Sequence, residues 1–267
     1  MPRKVFLMVR RLLSTTLLVV LVVFVTPLLA HAVVWSMNDR PSSWSTADWG
    51  PSGVLPAARA VPEAVVHVMS ARTGGMKGAV AVHSWIVTKP AGAPRYDRYD
   101  VVGWGTPVRT NSYPPDGRWY SNEPTIHYTA RGAEAERLIP RIEEAVANYR
   151  WRNRGDYSIW PGPNSNTFVA TIVRAVPGFD ARVPPTALGR DFPADGRWFV
   201  PPRDGRGLRL TAGGYLGLVL GGIEGFEVNF LGAVAGFDPA TWTVKLPGFG
   251  AVSLFDRANA SPPARST

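Results

Sequence analysis

The amino-acid sequence predicts an α+β protein: a small antiparallel sheet packed on helices, preceded by an N-terminal transmembrane or signal helix. Three observations carry this. Residues 1–11 are basic, and Leu12 to Leu29 then run without a charge. Two alternating apolar stretches, 64–70 and 79–87, flank a Gly-containing loop and read as a hairpin. Gly132 to Tyr149 sets Leu138, Ile142, Ala145, Val146 and Tyr149 in one stripe at helical spacing, with Glu134, Glu136, Arg137, Arg141, Glu143 and Glu144 on the remaining surface.

The N-terminus has the layout of an export signal. Its apolar character continues to Trp35, broken by His31, and Ala30-His31-Ala32 offers a small-x-small cleavage site. The stretch is long enough to span a bilayer, so an uncleaved anchor is weighed slightly above a cleaved, secreted form. The basic flank places the N-terminus inside the cytoplasmic (inner) membrane and the following domain outside it.

Composition narrows the function. The formal net charge is +9. Arg3, Lys4, Arg10 and Arg11 all precede the apolar run, which leaves the exported part about +5. With export, that modest charge argues against nucleic-acid binding. Zero Cys excludes disulfides, thiolate metal sites, a thiol nucleophile and a lipid-modified N-terminal Cys. The His residues are His31, His67, His83 and His127, too few for a His-rich metal site. No metal and no cofactor is expected. Gly (27) and Pro (25) are abundant, which favours turns and irregular connections over a helical bundle.

The remaining elements follow in order. Residues 37–60 are polar and turn-rich, a linker. Tyr96 to Trp104 forms a third strand, with Asp97, Tyr99, Val101 and Gly103 on one face and Arg98, Asp100, Val102 and Trp104 on the other. Gly105 to Asn122 reads as loop. A second helix starts at the Asn-Ser-Asn-Thr turn, runs through 166–175 and ends at Pro177-Gly178. Residues 181–207 read as irregular, and Leu208 to Phe237 as a Gly-studded apolar segment carrying Glu224 and Glu227. The expected organisation is 1–36 anchor or signal peptide, 37–60 linker, 61–180 core, 181–256 extension docked on the core, and 257–267 disordered tail.

Two of these elements carry a candidate site. His83 lies mid-strand, and Ser165 lies where the second helix opens. A hydroxyl at a helix N-terminus, with free N–H groups to hold an oxyanion and a strand-borne His as base, supplies the parts of a nucleophilic site. Asp100 on the neighbouring strand is the candidate third group that orients the imidazole. His67 and His127 are substitutes for His83, less well placed relative to Ser165. Trp85, Trp104, Trp160, Asn164 and Asn166 flank these motifs and are the candidate substrate-binding residues. The bland alternative stands beside this one: His83 as a satisfied core residue, Asn164 or Ser165 as a helix cap, Trp160 and Phe168 as packing.

His-Ser-Trp, Gly-Trp-Gly at 103–105, Trp-Pro-Gly-Pro-Asn-Ser-Asn-Thr-Phe, Ala-Leu-Gly-Arg-Asp-Phe at 187–192 and Gly-Phe-Glu-Val-Asn-Phe-Leu-Gly at 225–232 resemble the uncharacterised bacterial family DUF3750. More distantly, the order His-on-strand, then Asn-x-x-Thr-Phe opening a helix, is similar to circularly permuted papain-like proteins of the NlpC/P60 and lecithin–retinol acyltransferase group, DUF4105-type included. That resemblance implies a papain-like fold with Ser165 in the nucleophile position, His83 as base and Asp100 as third residue. Ser here replaces the family's Cys, and a hydroxyl depends fully on its base. Two functions follow as expectations. One is an envelope hydrolase or acyltransferase acting on a lipid, lipoprotein or peptidoglycan-type amide or ester, with the Gly-rich segment lying against the bilayer surface. The other is a non-catalytic envelope binding or assembly protein with an inactive papain-like site.

Overall fold

The computed structural model describes residues 3–199 and 207–255; the expected tail at 257–267 lies outside the described residues. Helix α1 (Arg3–Val20) continues through a π-helical turn (Leu21–Val25) into α2 (Thr26–Ser36), giving one apolar rod over Arg3–Ser36. Its best 18-residue window has a mean hydropathy of 2.7, and the rod is long enough to cross a membrane.

The first sheet has the order β4-β3-β2-β1-β5, all antiparallel. The hairpin expected from alternation is β1 (Val65–Arg72) with β2 (Val82–Lys89), in register from Val65 opposite Lys89 to Arg72 opposite Val82. β3 (Asp97–Val101) lies beside β2, followed by β4 (Val108–Thr110), and β5 (Thr125–Arg131) closes the far edge on β1. Because side chains alternate between faces, the sheet carries two cores. Val66, Val68, Ile86, Tyr99 and Val101 pack against α3 (Gly132–Ala147) and α4 (Ser165–Ala175) through Leu138, Ile142, Phe168, Val169 and Ile172. On the opposite face Val65, Met69, Trp85, Val87 and Val102 are covered by Leu55, Tyr96 and Trp119. Part of that cover comes from segment 37–60: Leu55 is buried, and Trp49 meets Trp119 edge-on at 4.9 Å.

Two strands of the first sheet escape the sequence pattern. β4 is three residues long inside the expected loop 105–122, too short for periodicity to register. β5 reads Thr-Ile-His-Tyr-Thr-Ala-Arg and is half-exposed at the sheet edge, and its pairing slips by a bulge at Val68/Met69, which blurs the alternation.

Beyond the irregular 181–199, the Gly-studded segment folds into a second sheet, a meander of order β11-β10-β9-β8-β7-β6. Its strands are β6 (Gly207–Ala212), β7 (Leu216–Gly221), β8 (Gly225–Phe230), β9 (Ala233–Asp238), β10 (Thr243–Leu246) and β11 (Gly250–Ser253). The glycines are its turns. Leu231 and Gly232 alone join β8 to β9, with φ of 53° and 89°, the doubly left-handed pattern that tight two-residue hairpins require.

This sheet is polar inward and apolar outward. Arg209, Glu227, Asn229, Asp238 and Lys245 are buried on the face turned to the rest of the molecule. The other face pairs Leu208 with Leu220, Leu210 with Leu218, Leu216 with Phe230, Phe226 with Phe237, and Val244 with Val252. The N-terminal rod lies along that apolar face: Phe24 packs on Phe230 with ring centroids 5.5 Å apart. Its other end docks through Trp35 Nε1, which donates to the Gly75 carbonyl at 3.0 Å.

Candidate functional site

His83, Trp85, Arg98 and Asp100 leave the first sheet on the face away from α4. His83 Nε2 lies 3.2 Å from Asp100 Oδ2, and the same oxygen accepts from Arg98 Nη2 at 2.8 Å and Nε at 3.2 Å. Arg98 is fully buried, with its guanidinium 4.0 Å above the Trp85 ring. Burial pushes the His83 pKa below its ordinary value, outweighing the lift from Asp100. Burial would raise Asp100, but the His83 hydrogen bond and the Arg98 charge hold it below the usual carboxylate range. The cluster is therefore a guanidinium–carboxylate pair to which a neutral imidazole donates its Nε2 proton. Trp119 lies flat on the imidazole, centroids 3.6 Å apart and planes within 6°.

Ser165 opens α4, which packs on the opposite face. Asn164 caps the helix: its side chain accepts from the backbone N–H groups of Asn166 and Thr167, and Thr167 Oγ1 returns a bond to the Asn164 N–H, a complete capping box. What bridges sheet and helix here is Ser84 Oγ donating to Asn166 Oδ1 at 2.7 Å, with Asn166 Nδ2 donating to the Val82 carbonyl at 2.9 Å. The contact is hydroxyl to amide, with no base in it. Among the described residues no hydrogen bond joins Ser165 to His83. The sealed side-chain atoms without a partner are Thr88 Oγ1, Asp100 Oδ1, Tyr149 OH and Arg190 Nε among those residues, and Ser165 Oγ is not one of them.

The other candidates are dispersed. Trp85 is fully buried and donates to the Pro115 carbonyl at 2.9 Å. Trp160 donates to the Leu231 carbonyl at 3.1 Å and meets Tyr215 edge-on, which ties the α4 approach loop to the second sheet. Asn164 and Asn166 also donate to the Leu188 carbonyl, at 3.0 and 2.9 Å. Trp104 is half-exposed and stacks on Trp119, centroids 6.3 Å apart. His67 is held by Thr129 Oγ1 at 2.9 Å, and His127 Nε2 meets Ser70 Oγ at 2.7 Å.

The alternating pattern did not reveal the cavity above His83. Trp44, Trp49, Trp104, Tyr113 and Tyr120 line a cavity of about 440 Å³, with Trp119 touching its walls and His83 behind Trp119. Its walls come from segments 44–49, 104 and 113–120, all loops in the structure. Trp104 was already a substrate-binding candidate, and for the rest the sequence signal was only the density of aromatics in stretches read as linker (37–60) and loop (105–122). A second unread feature is a buried ionic network. Glu227 pairs with both Arg190 and Lys245, Asp191 accepts from Arg209 at 2.7 Å, and Arg209 reaches Glu224 at 3.0 Å. Three cations meet three carboxylates, and Glu227 is buried at the centre.

Residues 63–192 match the family model DUF3750, described as a protein of unknown function. No curated protein and no solved structure gives a significant match.

Proposed function

We propose, from the match of residues 63–192 to the DUF3750 family model and from the geometry above, that the chain is a membrane-anchored ligand-binding protein of the cell envelope rather than an enzyme. One observation carries the reading: the imidazole of His83 is committed to Asp100 and stacked under Trp119, on the sheet face opposite the one that holds Ser165. A base must reach the proton it removes, and here the sheet stands between. The aromatic cavity is the binding site in this reading. Rigid Trp and Tyr rings give large contact area at little entropic cost, and suit a ligand with a flat apolar face, such as a saccharide ring of a cell-wall polymer. The Arg98–Asp100–His83 cluster fixes the floor of that cavity from behind. The rod over Arg3–Ser36 holds the protein in the cytoplasmic membrane, with the first sheet and its helices on the outer side. No cofactor or nucleic acid enters the scheme.

The test is a titration of the full-length protein with soluble peptidoglycan fragments, read by tryptophan fluorescence, alongside labelling with a serine-directed fluorophosphonate. Binding weakened tenfold or more by Trp104→Ala, with Ser165 unlabelled, is expected. Labelling at Ser165 that disappears in Ser165→Ala would overturn the binding reading. It would restore the hydrolase or acyltransferase reading on a lipid, lipoprotein or cell-wall amide or ester. That second reading rests on Ser165 standing as the first residue of a capped helix.

A further inference from the structure

The second sheet is inside-out for a protein surrounded by water. Its inward face buries paired charges, and among the described residues every strand position on its outward face is apolar or glycine. Leu210, Leu220, Phe226 and Val252 remain 41–43% exposed there. A monomer in water rarely leaves so broad an apolar surface uncovered.

The N-terminal rod identifies the cover. Thr15 to Phe24 run along the sheet, and between rod and sheet lies an almost wholly apolar cavity of about 620 Å³ that also touches Leu216, Leu218 and Val228. Any bilayer that takes residues 15–24 into its hydrocarbon also meets the sheet face beside them. We propose that the outward face of the second sheet is a lipid-contact surface, seated in the membrane beside the rod, with acyl chains filling the cavity between them. This rests on the membrane placement of the rod proposed above. The sheet suits the role: its strand backbones are paired with one another, and the β6 edge is partly covered where the Thr211 N–H donates to the Trp198 carbonyl at 2.8 Å. Exposed Trp198 and Trp242 flank the face, the residue type that favours the boundary between headgroups and acyl chains.

The absence of Cys makes the test clean. Leu220→Cys, Val252→Cys, Leu17→Cys and Arg137→Cys each receive one nitroxide in the full-length protein, reconstituted in phosphatidylethanolamine–phosphatidylglycerol nanodiscs. Collision with oxygen, concentrated in lipid, is compared with collision with an aqueous nickel chelate. Labels at 220 and 252 should follow Leu17 on the rod and oppose Arg137 on the exposed side of α3, with oxygen favoured several-fold over nickel. Nickel-dominated collision at 220 and 252 with Leu17 in lipid would overturn the inference alone. Nickel-dominated collision at Leu17 as well would overturn the membrane reading beneath it. Spin–spin broadening at 220 or 252 would also overturn it, assigning the face to a second copy of the chain.

Discussion

Asp100 is the residue on which the cavity floor depends, because among the described residues it is the carboxylate paired with a fully buried guanidinium. Asp100→Asn keeps the shape and leaves Arg98 as an unpaired buried charge, with an expected loss of about 3–5 kcal/mol in urea unfolding. A change below 1 kcal/mol would show that the cluster is not sealed. Ser165 offers the opposite case. Asn164 performs the capping, so Ser165→Ala should cost no more than about 1 kcal/mol, whereas Asn164→Ala should cost about 1–2 kcal/mol. Equal losses in the two variants would contradict the assignment of the cap. Ser165→Cys reports on chemistry: the helix N-terminus lowers the thiol pKa from its ordinary value of about 8.5, and with no imidazole beside it the pH profile of alkylation should stay the same when His83→Gln is added. A profile that shifts on adding His83→Gln would place that imidazole within reach of the thiol.

At the scale of elements, what the sequence could disclose depended on whether a pattern or a partner defines the element. The β1–β2 hairpin, the faces of β3 and the stripe of α3 were legible because local alternation sets them and each buries one side. The Asn-Ser-Asn-Thr turn was legible as a helix start because the capping chemistry is local. The pairing of Asp100 with His83 was also legible, since adjacent strands bring their same-face residues together. The distance between His83 and Ser165 was not, because alternation fixes which face a residue takes only once the neighbouring layer is known. Ser84, one position along, is the residue that faces α4. The second sheet stayed hidden for a related reason. Its exposed side is the apolar one, so the usual rule of polar-out reads it wrongly, and its glycines suggest loop where they form turns. Glu227 tests the lock between that sheet and the rest. Glu227→Gln leaves Arg190 and Lys245 together without their shared carboxylate, and should loosen β8 to β10 in hydrogen exchange while β1 and β2 stay protected. Uniform protection throughout would refute that role.

The whole molecule should be sensitive to acid in a calculable direction. Burial lowers the pKa of His67 from 6.5 to about 4, aided by the nearby Arg131 charge, and burial lowers His127 from 6.5 to about 4. Between pH ~6.5 and ~4 the unfolded chain then binds more protons than the folded one, so stability is present in full above pH ~6.5 and is lost as the pH falls, by up to about 3 kcal/mol per residue. Urea midpoints at pH 7.5, 5.5 and 4 measure this, and His127→Gln should flatten the slope; a midpoint unchanged from pH 7.5 to 4 would contradict it. A phosphatase fused after Thr267 should be active outside the membrane, and a silent fusion with an active cytoplasmic reporter would reverse the topology. The ionic network also sets a sequence of events during synthesis. Arg190 and Asp191 leave the ribosome before the strand bearing Glu227, and Lys245 leaves after it. A chain cut short before β10 therefore holds Glu227 with one of its two cations, so the last hairpin is the piece that closes the network.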